Sequence, residues 1–242
     1  MNAAPARPGI LVALDTSDLD AALRQARAVA GLAAGVKLGL EFFVANGPQG
    51  VRRVVAEGRP VFLDLKLHDI PNTVAGAVRA AAGLGAFMLN LHAAGGATML
   101  REAAKAARHG AAAARLQRPL LIAVTVLTSL SDEDLLSLGH AETGAAEAVR
   151  LARLARDCGL DGVVCSPLEI ADIRSACGPD FTLVVPGVRP YWAATGDQKR
   201  VTTPAEAARL GADYLVIGRP ITAAPDPAEA LRRIQAEIAG AG

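Results

Sequence analysis

Eight short apolar runs, each long enough for a buried β-strand, recur along the chain at fairly even spacing. Between them lie Ala-rich segments with helical spacing of apolar residues, such as Leu151, Leu154, Ala155 and Cys158. Eight strands alternating with helices in a chain of 242 residues favour an α/β protein with a closed (β/α)8 TIM barrel. The eight runs are residues 10–15, 35–39, 61–66, 87–92, 120–127, 162–166, 182–188 and 214–219.

A doubly wound open sheet is the competing architecture. Its nucleotide-binding version begins with a strand, a Gly-x-Gly-x-x-Gly turn and a helix, and neither residues 31–39 nor residues 83–96 carry that pattern. No linker or change in composition divides the chain. We therefore expect one catalytic domain, residues 10–242, after a short disordered lead at residues 1–9, which lacks the apolar core of a signal peptide.

Composition narrows the class of protein further. The net charge of +1 argues against a nucleic-acid or membrane-surface partner. No apolar run approaches the roughly 18 to 20 residues of a membrane span. Cys158, Cys165 and Cys177 have neither disulfide-framework nor zinc spacing, which indicates a protein of the reducing cytoplasm.

The third apolar run contains an acid and an amine, Asp64 and Lys66, and Asp69 follows it. Residues two apart on a strand point to the same side, so we expect Asp64 and Lys66 to lie together. Only four of the 25 basic residues are lysine, so a lysine kept inside an apolar strand is unusual here. Charges at the mouth of an apolar sheet are costly unless they pair or take part in chemistry, which indicates a catalytic centre.

Polar residues collect where the other predicted strands end, and a barrel places its chemistry at those ends. Glycine and arginine follow the seventh and eighth strands, where barrels often bind phosphate, and a long polar segment between them could close over a ligand. No cluster of histidine and carboxylate has metal-binding spacing. The residues therefore predict an enzyme for a phosphorylated small molecule. Its strand-end residues are Asp15, Lys37, Asp64, Lys66, Asp69, His92, Thr128, Arg189, Gly218 and Arg219.

At these residues the chain resembles a known family. The run Asp64-Leu65-Lys66-Leu67-His68-Asp69-Ile70-Pro71-Asn72-Thr73 is similar to the signature of bacterial-type orotidine 5′-phosphate decarboxylases. Further matches lie at residues 13–15, 36–39, 90–93, 126–129, 186–190, 196–200 and 217–219, so the resemblance covers residues 10 to 235. It implies a homodimer of barrels that uses no cofactor or metal. The implied reaction is the decarboxylation of orotidine 5′-monophosphate to UMP and CO2, the last step of de novo UMP biosynthesis.

The resemblance also implies roles for individual residues. Lys66 resembles the group that stabilises and protonates the C6 carbanion, flanked by Asp64 and by Asp69 of the partner subunit. Asp15 and Lys37 resemble ligands of the ribose, beside Thr73 of the partner subunit. The remaining substrate contacts implied are Thr128 at the pyrimidine and Arg189, Gln198, Gly218 and Arg219 at the phosphate.

Three other functions compete with this one. A sister family with the same Asp-x-Lys-x-x-Asp pattern includes Mg²⁺-dependent 3-keto-gulonate 6-phosphate decarboxylases and hexulose phosphate synthases, but an acid of its second strand is replaced here by Lys37. A Schiff-base aldolase would need a neutral amine, and carboxylates near Lys66 should keep it charged. A non-enzymatic sensor of phosphorylated ligands would not need Lys66.

Overall fold

The computed structural model describes residues 8–193 and 202–240. Eight parallel strands pair in sequence order, and β8 pairs with β1 to close the barrel, which confirms the predicted fold and excludes the open sheet. The strands are β1 Gly9–Ala13, β2 Gly35–Leu38, β3 Val61–Leu67, β4 Met88–His92, β5 Leu120–Val124, β6 Gly162–Val164, β7 Thr182–Val185 and β8 Tyr214–Ile217.

Helices follow the strands and cover the outside of the barrel. They are α1 Leu19–Ala28, α2 Leu40–Val55, α3 Pro71–Ala82, α4 Gly96–Ala113, α5 Asp132–Ser137, α6 Gly144–Asp157, α7 Ile170–Cys177, α8 Pro204–Leu210, α9 Arg219–Thr222 and α10 Pro227–Ala239. Short 3₁₀ turns precede α4 and α7, at Ala93–Gly95 and Pro167–Glu169. Within the described ranges, no helix is long and apolar enough to cross a membrane.

Most predicted strands run past the observed ends. The fifth and seventh end at Val124 and Val185, three residues before the predicted ends. The apolar residues beyond those ends, such as Val126 and Val188, line a cavity above the sheet or pack on the outer core. Apolar character at these positions therefore reflects burial without strand pairing, which a hydrophobic run alone cannot distinguish.

Helix ends follow local capping chemistry. Thr203 and Asp226 cap α8 and α10, each before a first-turn proline. Gly211 ends α8 in the left-handed conformation, with φ of 101°. These short-range signals fix where helices start and stop around the barrel.

The interior of the barrel is a packed apolar layer below the strand ends. Its buried residues come from five different strands: Leu11, Phe62, Met88, Ile122 and Val184. Side chains on a strand alternate between the two faces, so residues two positions further along point into the same interior, one layer higher. On β3 and β4 those residues are Asp64 and Asn90, which places polar groups directly above an apolar floor.

Candidate active site

A cavity of about 320 Å³ opens at the carboxyl ends of the strands, within the size range of small-ligand sites. Phe62 contributes to its apolar lining, together with valines from β5, β6 and β8. Eight of the predicted site residues line it: Asp15, Lys37, Asp64, Lys66, Thr128, Arg189, Gly218 and Arg219. The structure therefore brings together groups that are up to 204 positions apart, from Asp15 to Arg219.

Four charged side chains form a row of alternating sign across this cavity. Lys37 Nζ lies 3.1 Å from Asp15 Oδ1 and 3.4 Å from Asp64 Oδ2. Lys66 Nζ lies 2.6 Å from the other oxygen of Asp64. Lys37 and Asp64 are buried, whereas Asp15 and Lys66 are more open to the cavity and solvent. Each buried charge thus has an opposite charge beside it, which offsets the cost of desolvation.

Asp64 is held in its ionised form by this row. Burial alone would raise the pKa of its carboxyl, but the charges of Lys37 and Lys66 and hydrogen bonds from Lys66 and Asn90 outweigh burial. The pKa of Asp64 is therefore below its ordinary value. A carboxylate fixed in this way can orient the Lys66 ammonium near neutral pH.

The backbone at Lys66 departs from a regular strand. Its φ is 50°, and the pairing of β3 with β4 shifts register between Leu63 and Leu67. Asp64 and Lys66 therefore lie together as predicted, but the strand that carries them is not regular, because a bulge lies between Leu63 and Leu67. Non-glycine residues in this left-handed region are uncommon and often lie at functional sites.

Asn90 is a site residue to which the sequence reasoning assigned no role. Its side chain is buried on β4, donates a 2.6 Å hydrogen bond to Asp64 Oδ1 and accepts a 2.8 Å hydrogen bond from the Lys66 backbone N–H. The available signal was a buried amide in the otherwise apolar run before His92. His92 itself does not line the cavity; burial, followed by repulsion from His68 and Lys66, lowers its pKa.

Cationic and glycine residues line the cavity after β7 and β8. Arg189 is buried, and its backbone N–H donates to Thr202 O, beside a short bridge between Val188 and Thr202. Gly218 lies close to the first strand: a Cβ there would be 3.5 Å from Ala13 Cβ. The predicted contact Gln198 lies outside the described residues.

Asp69 and Thr73 do not line the cavity of their own chain. Both are exposed, in the connection from β3 to α3 and in the first turn of α3. Ile70 between them is 67% exposed, unusual for so large an apolar side chain. The motif of residues 64–73 is thus split between a cavity and an outer surface.

The donor set does not suggest a metal centre. Throughout residues 8–193 and 202–240, no group of three or more His, Cys, Asp and Glu side chains is arranged to hold an ion. The gap between the carboxylates of Asp15 and Asp64 is occupied by the Lys37 amine, which would repel a divalent cation there.

Comparison with known proteins shows which protein family this chain resembles. A sequence model described as the orotidine 5′-phosphate decarboxylase / HUMPS family matches residues 8–234. The orotidine 5′-phosphate decarboxylase of Moorella thermoacetica is 57% identical over 96% of this chain and 93% of that protein. That of Paramagnetospirillum magneticum is 52% identical over 95% of this chain and 97% of that protein.

A solved structure has the same architecture. The crystal structure of orotidine 5′-phosphate decarboxylase from Lactobacillus acidophilus superposes with a TM-score of 0.81 at 37% identity. The match covers 96% of this chain and 99% of that one. The family match thus spans nearly the whole barrel, and the two relatives are more than 50% identical over most of the chain. The chain therefore belongs to the orotidine 5′-phosphate decarboxylase / HUMPS family.

Proposed function

We propose that this protein converts orotidine 5′-monophosphate to UMP and CO2, with Lys66 as its catalytic acid. The observation that carries the proposal is the alternating row Asp15–Lys37–Asp64–Lys66 at one side of a nucleotide-sized cavity. Relatives more than 50% identical over the whole barrel bear the name of that decarboxylase. The family name also includes HUMPS proteins, so the choice within the family rests on the close relatives and on Lys37.

The chemical problem is the electron pair left on a ring carbon. When the bond between C6 and the carboxylate breaks, CO2 leaves and the pair stays at C6, where water stabilises it poorly. An ammonium group placed beforehand at C6 stabilises this charge as it develops, and costs no reorganisation during the reaction. Lys66 then gives its proton to C6 to complete UMP, and recovers a proton from solvent.

Asp64 and Lys37 support this step from the buried side. Asp64 binds the Lys66 ammonium at 2.6 Å and so limits the directions in which it can point. Lys37, 3.4 Å from the other oxygen, compensates the second half of the Asp64 charge. We also assign Lys37 and Asp15 to hydrogen bonds with the ribose hydroxyls.

The rest of the substrate supplies binding energy away from the reacting carbon. We assign the phosphate to Arg189, Arg219, Gln198 and the backbone at Gly218. The pyrimidine is assigned to Thr128, which lines the cavity with Arg189, Gly218 and Arg219. Binding energy from such remote groups can be used to position the reacting atoms. We assign Asp64, Lys66 and the partner subunit's Asp69 to catalysis, and the others to substrate binding.

The second catalytic carboxylate is proposed to come from a partner subunit. Within the described lining of the cavity, the carboxylates are Asp15 and Asp64, and Asp69 points elsewhere. The exposed group of Asp69, Ile70 and Thr73 would then enter the neighbouring site of a homodimer, beside Lys66 and the ribose.

Mixed dimers test this exchange. Lys66→Ala and Asp69→Ala should each abolish turnover alone, but a mixture of the two should regain about a quarter of the wild-type rate. Half of the dimers are mixed, and half of the sites in each mixed dimer are intact, as two-fold symmetry requires. A mixture as inactive as its components would place Asp69 in its own chain's site, and an Asp69→Ala variant that is active alone would place Asp69 outside catalysis.

The reaction itself is tested by following orotidine 5′-monophosphate absorbance with purified protein in excess EDTA. We expect full turnover, because neither a metal nor a cofactor takes part. Lys66→Ala should abolish UMP formation while UMP still binds, and Lys105→Ala, an exposed lysine paired with Glu102, should behave as wild type. Turnover that EDTA abolishes and Mg²⁺ restores would favour the Mg²⁺-dependent sister activities instead.

The cytoplasm is the proposed location. Cys158 and Cys165 are buried and Cys177 is half-buried, and all three are unpaired thiols. Unpaired cysteines in a chain with three of them support a reducing compartment.

A further inference from the structure

We propose that Asn90 is a positioning residue that holds Asp64 and Lys66 at the geometry needed for proton transfer. The inference rests on the proposed decarboxylase function and extends it to a residue outside the charged row. Asn90 does not line the cavity, so it acts through its two neighbours.

One amide side chain contacts both catalytic residues. Asn90 Nδ2 donates to Asp64 Oδ1 at 2.6 Å, and Asn90 Oδ1 accepts from the Lys66 backbone N–H at 2.8 Å. The chemistry of the two partners fixes the orientation of the amide: an ionised carboxylate only accepts, and a backbone N–H only donates. Asn90 is 1% exposed, so water cannot readily replace either bond.

Lys66 needs this contact because of its backbone. Its φ of 50° lies in the left-handed region, at the register shift that ends regular pairing between β3 and β4. Such a conformation is unfavourable for a non-glycine residue unless its surroundings hold it. The Lys66 N–H therefore finds its acceptor in a side chain, Asn90 Oδ1. Asn90 therefore accepts the hydrogen bond of the N–H group that the bulge displaces, and this bond favours the left-handed conformation of Lys66 over a regular strand.

Asp64 is fixed by the same side chain. Its Oδ1 receives both Lys66 Nζ and Asn90 Nδ2, each at 2.6 Å, while its Oδ2 faces Lys37 at 3.4 Å. Rotation of the carboxylate would break the Asn90 bond, so the ammonium is held at one oxygen. Misplacement of a catalytic group by about 1 Å can cost on the order of 100-fold in rate.

Two substitutions separate the two bonds of Asn90. Asn90→Asp keeps the shape and the acceptor for Lys66 N–H but removes the donor to Asp64, whereas Asn90→Ala removes both. We expect kcat to fall by about 100-fold in each variant, because the reacting groups lose their alignment. The UMP dissociation constant should change less than about threefold, because remote contacts dominate ground-state binding.

The pH profile distinguishes positioning from simple destabilisation. The charged groups that face Asp64 are Lys37 from β2 and Lys66 from β3, with Asp15 beyond Lys37 and His92 further along β4. In Asn90→Asp, the ionised carboxylate at position 90 faces Asp64 in place of the amide donor, and its like charge raises the pKa of Asp64. The acid limb of the kcat profile should therefore move up by about one pH unit or more.

Thr125→Val is the matched control. Thr125 is equally buried, and its hydroxyl donates to Val164 O without contact with the charged row. It should lose some stability and keep wild-type kcat. Turnover by wild type establishes the reaction independently of Asn90. With that activity present, Asn90 variants that keep wild-type kcat and pH profile, or lose activity only in proportion to unfolded protein, would overturn the inference.

Discussion

Replacement of Asp64 by asparagine should destabilise the protein by far more than a lost hydrogen bond would. The side chain keeps its size, but Lys37 and Lys66 then lose the charge that lies between them. At 3.4 Å and an effective dielectric constant of about 20, the attraction between Lys37 and Asp64 is about 5 kcal/mol. Lys66 is about one third exposed, so water compensates part of its loss.

The net cost follows from the burial of Lys37. Breaking a buried ion pair from one side typically costs about 3 to 5 kcal/mol, because the remaining charge is uncompensated. For a chain of this size, that corresponds to a fall in Tm of roughly 6 to 20 °C. Thermal unfolding by circular dichroism at pH 7.5 and fixed protein concentration measures it.

Two further measurements make the interpretation specific. The double variant Lys37→Met with Asp64→Asn should regain about half of the lost stability, because it also removes the buried Lys37 ammonium that Asp64→Asn leaves uncompensated. The folded-state pKa of Asp64 is depressed, so its contribution is present above the ordinary value of 3.8 and is lost as pH falls through the folded-state pKa. The gap between wild type and Asp64→Asn should therefore close in acid. A single variant with wild-type Tm at pH 7.5 would refute the charge-compensation account.

Three other substitutions test separate parts of the fold. Burial raises the pKa of Glu169 from 4.5 to about 7, so the folded state keeps a proton that the unfolded state loses, and stability falls as pH rises through that window. Glu169→Gln should therefore have the wild-type Tm below pH 5 and a higher Tm at pH 8, where its free energy of unfolding should exceed that of wild type by up to about 3 kcal/mol. Equal Tm values at pH 8 would contradict this. Arg174→Met should cost about 3 kcal/mol in urea unfolding with kcat unchanged, because it strands the buried carboxylate of Asp213, 2.9 Å away. Gly110→Ala should destabilise the protein by about 1 to 3 kcal/mol and so lower its Tm, because a Cβ there would overlap Arg79 O where α4 crosses α3. An unchanged Tm would mean that the helices separate freely.

The fold could be predicted from the sequence because its signals are local and repeated. Eight apolar runs alternating with capped helices are compatible with few architectures, and parallel strands placed in order bring their carboxyl ends together. That rule alone predicts that Asp15, Lys37 and Arg219 lie near each other, and all three line the same cavity. The strand ends were less predictable, because Val126 and Val188 are apolar for lining or packing and not for pairing.

Asn90 could not be assigned a role because its contacts depend on a shift in register. In a regular β3 the Lys66 N–H would point toward β2, because Pro60 O faces β2 and Val61 O faces β4, and Asn90 would then be one more polar group above the apolar floor. The bulge turns that N–H toward β4 and brings it within 2.8 Å of the Asn90 amide oxygen. Hydrophobic periodicity carries no information on such a shift, since β3 reads as the same apolar run with or without the bulge.

The run from Asp64 to Thr73 shows why neighbours in sequence need not share a site. β3 ends at Leu67 and α3 begins at Pro71, so the chain turns within three residues from the barrel interior to the outer surface. Asp64 and Lys66 lie before that turn and face the cavity, whereas Asp69 lies within it and Thr73 after it, and both are exposed. A motif of ten residues can therefore serve two cavities, provided that a second barrel packs against the turn. In the proposed dimer, the connection that orients one site also completes the other, so subunit contact and catalysis depend on the same short segment.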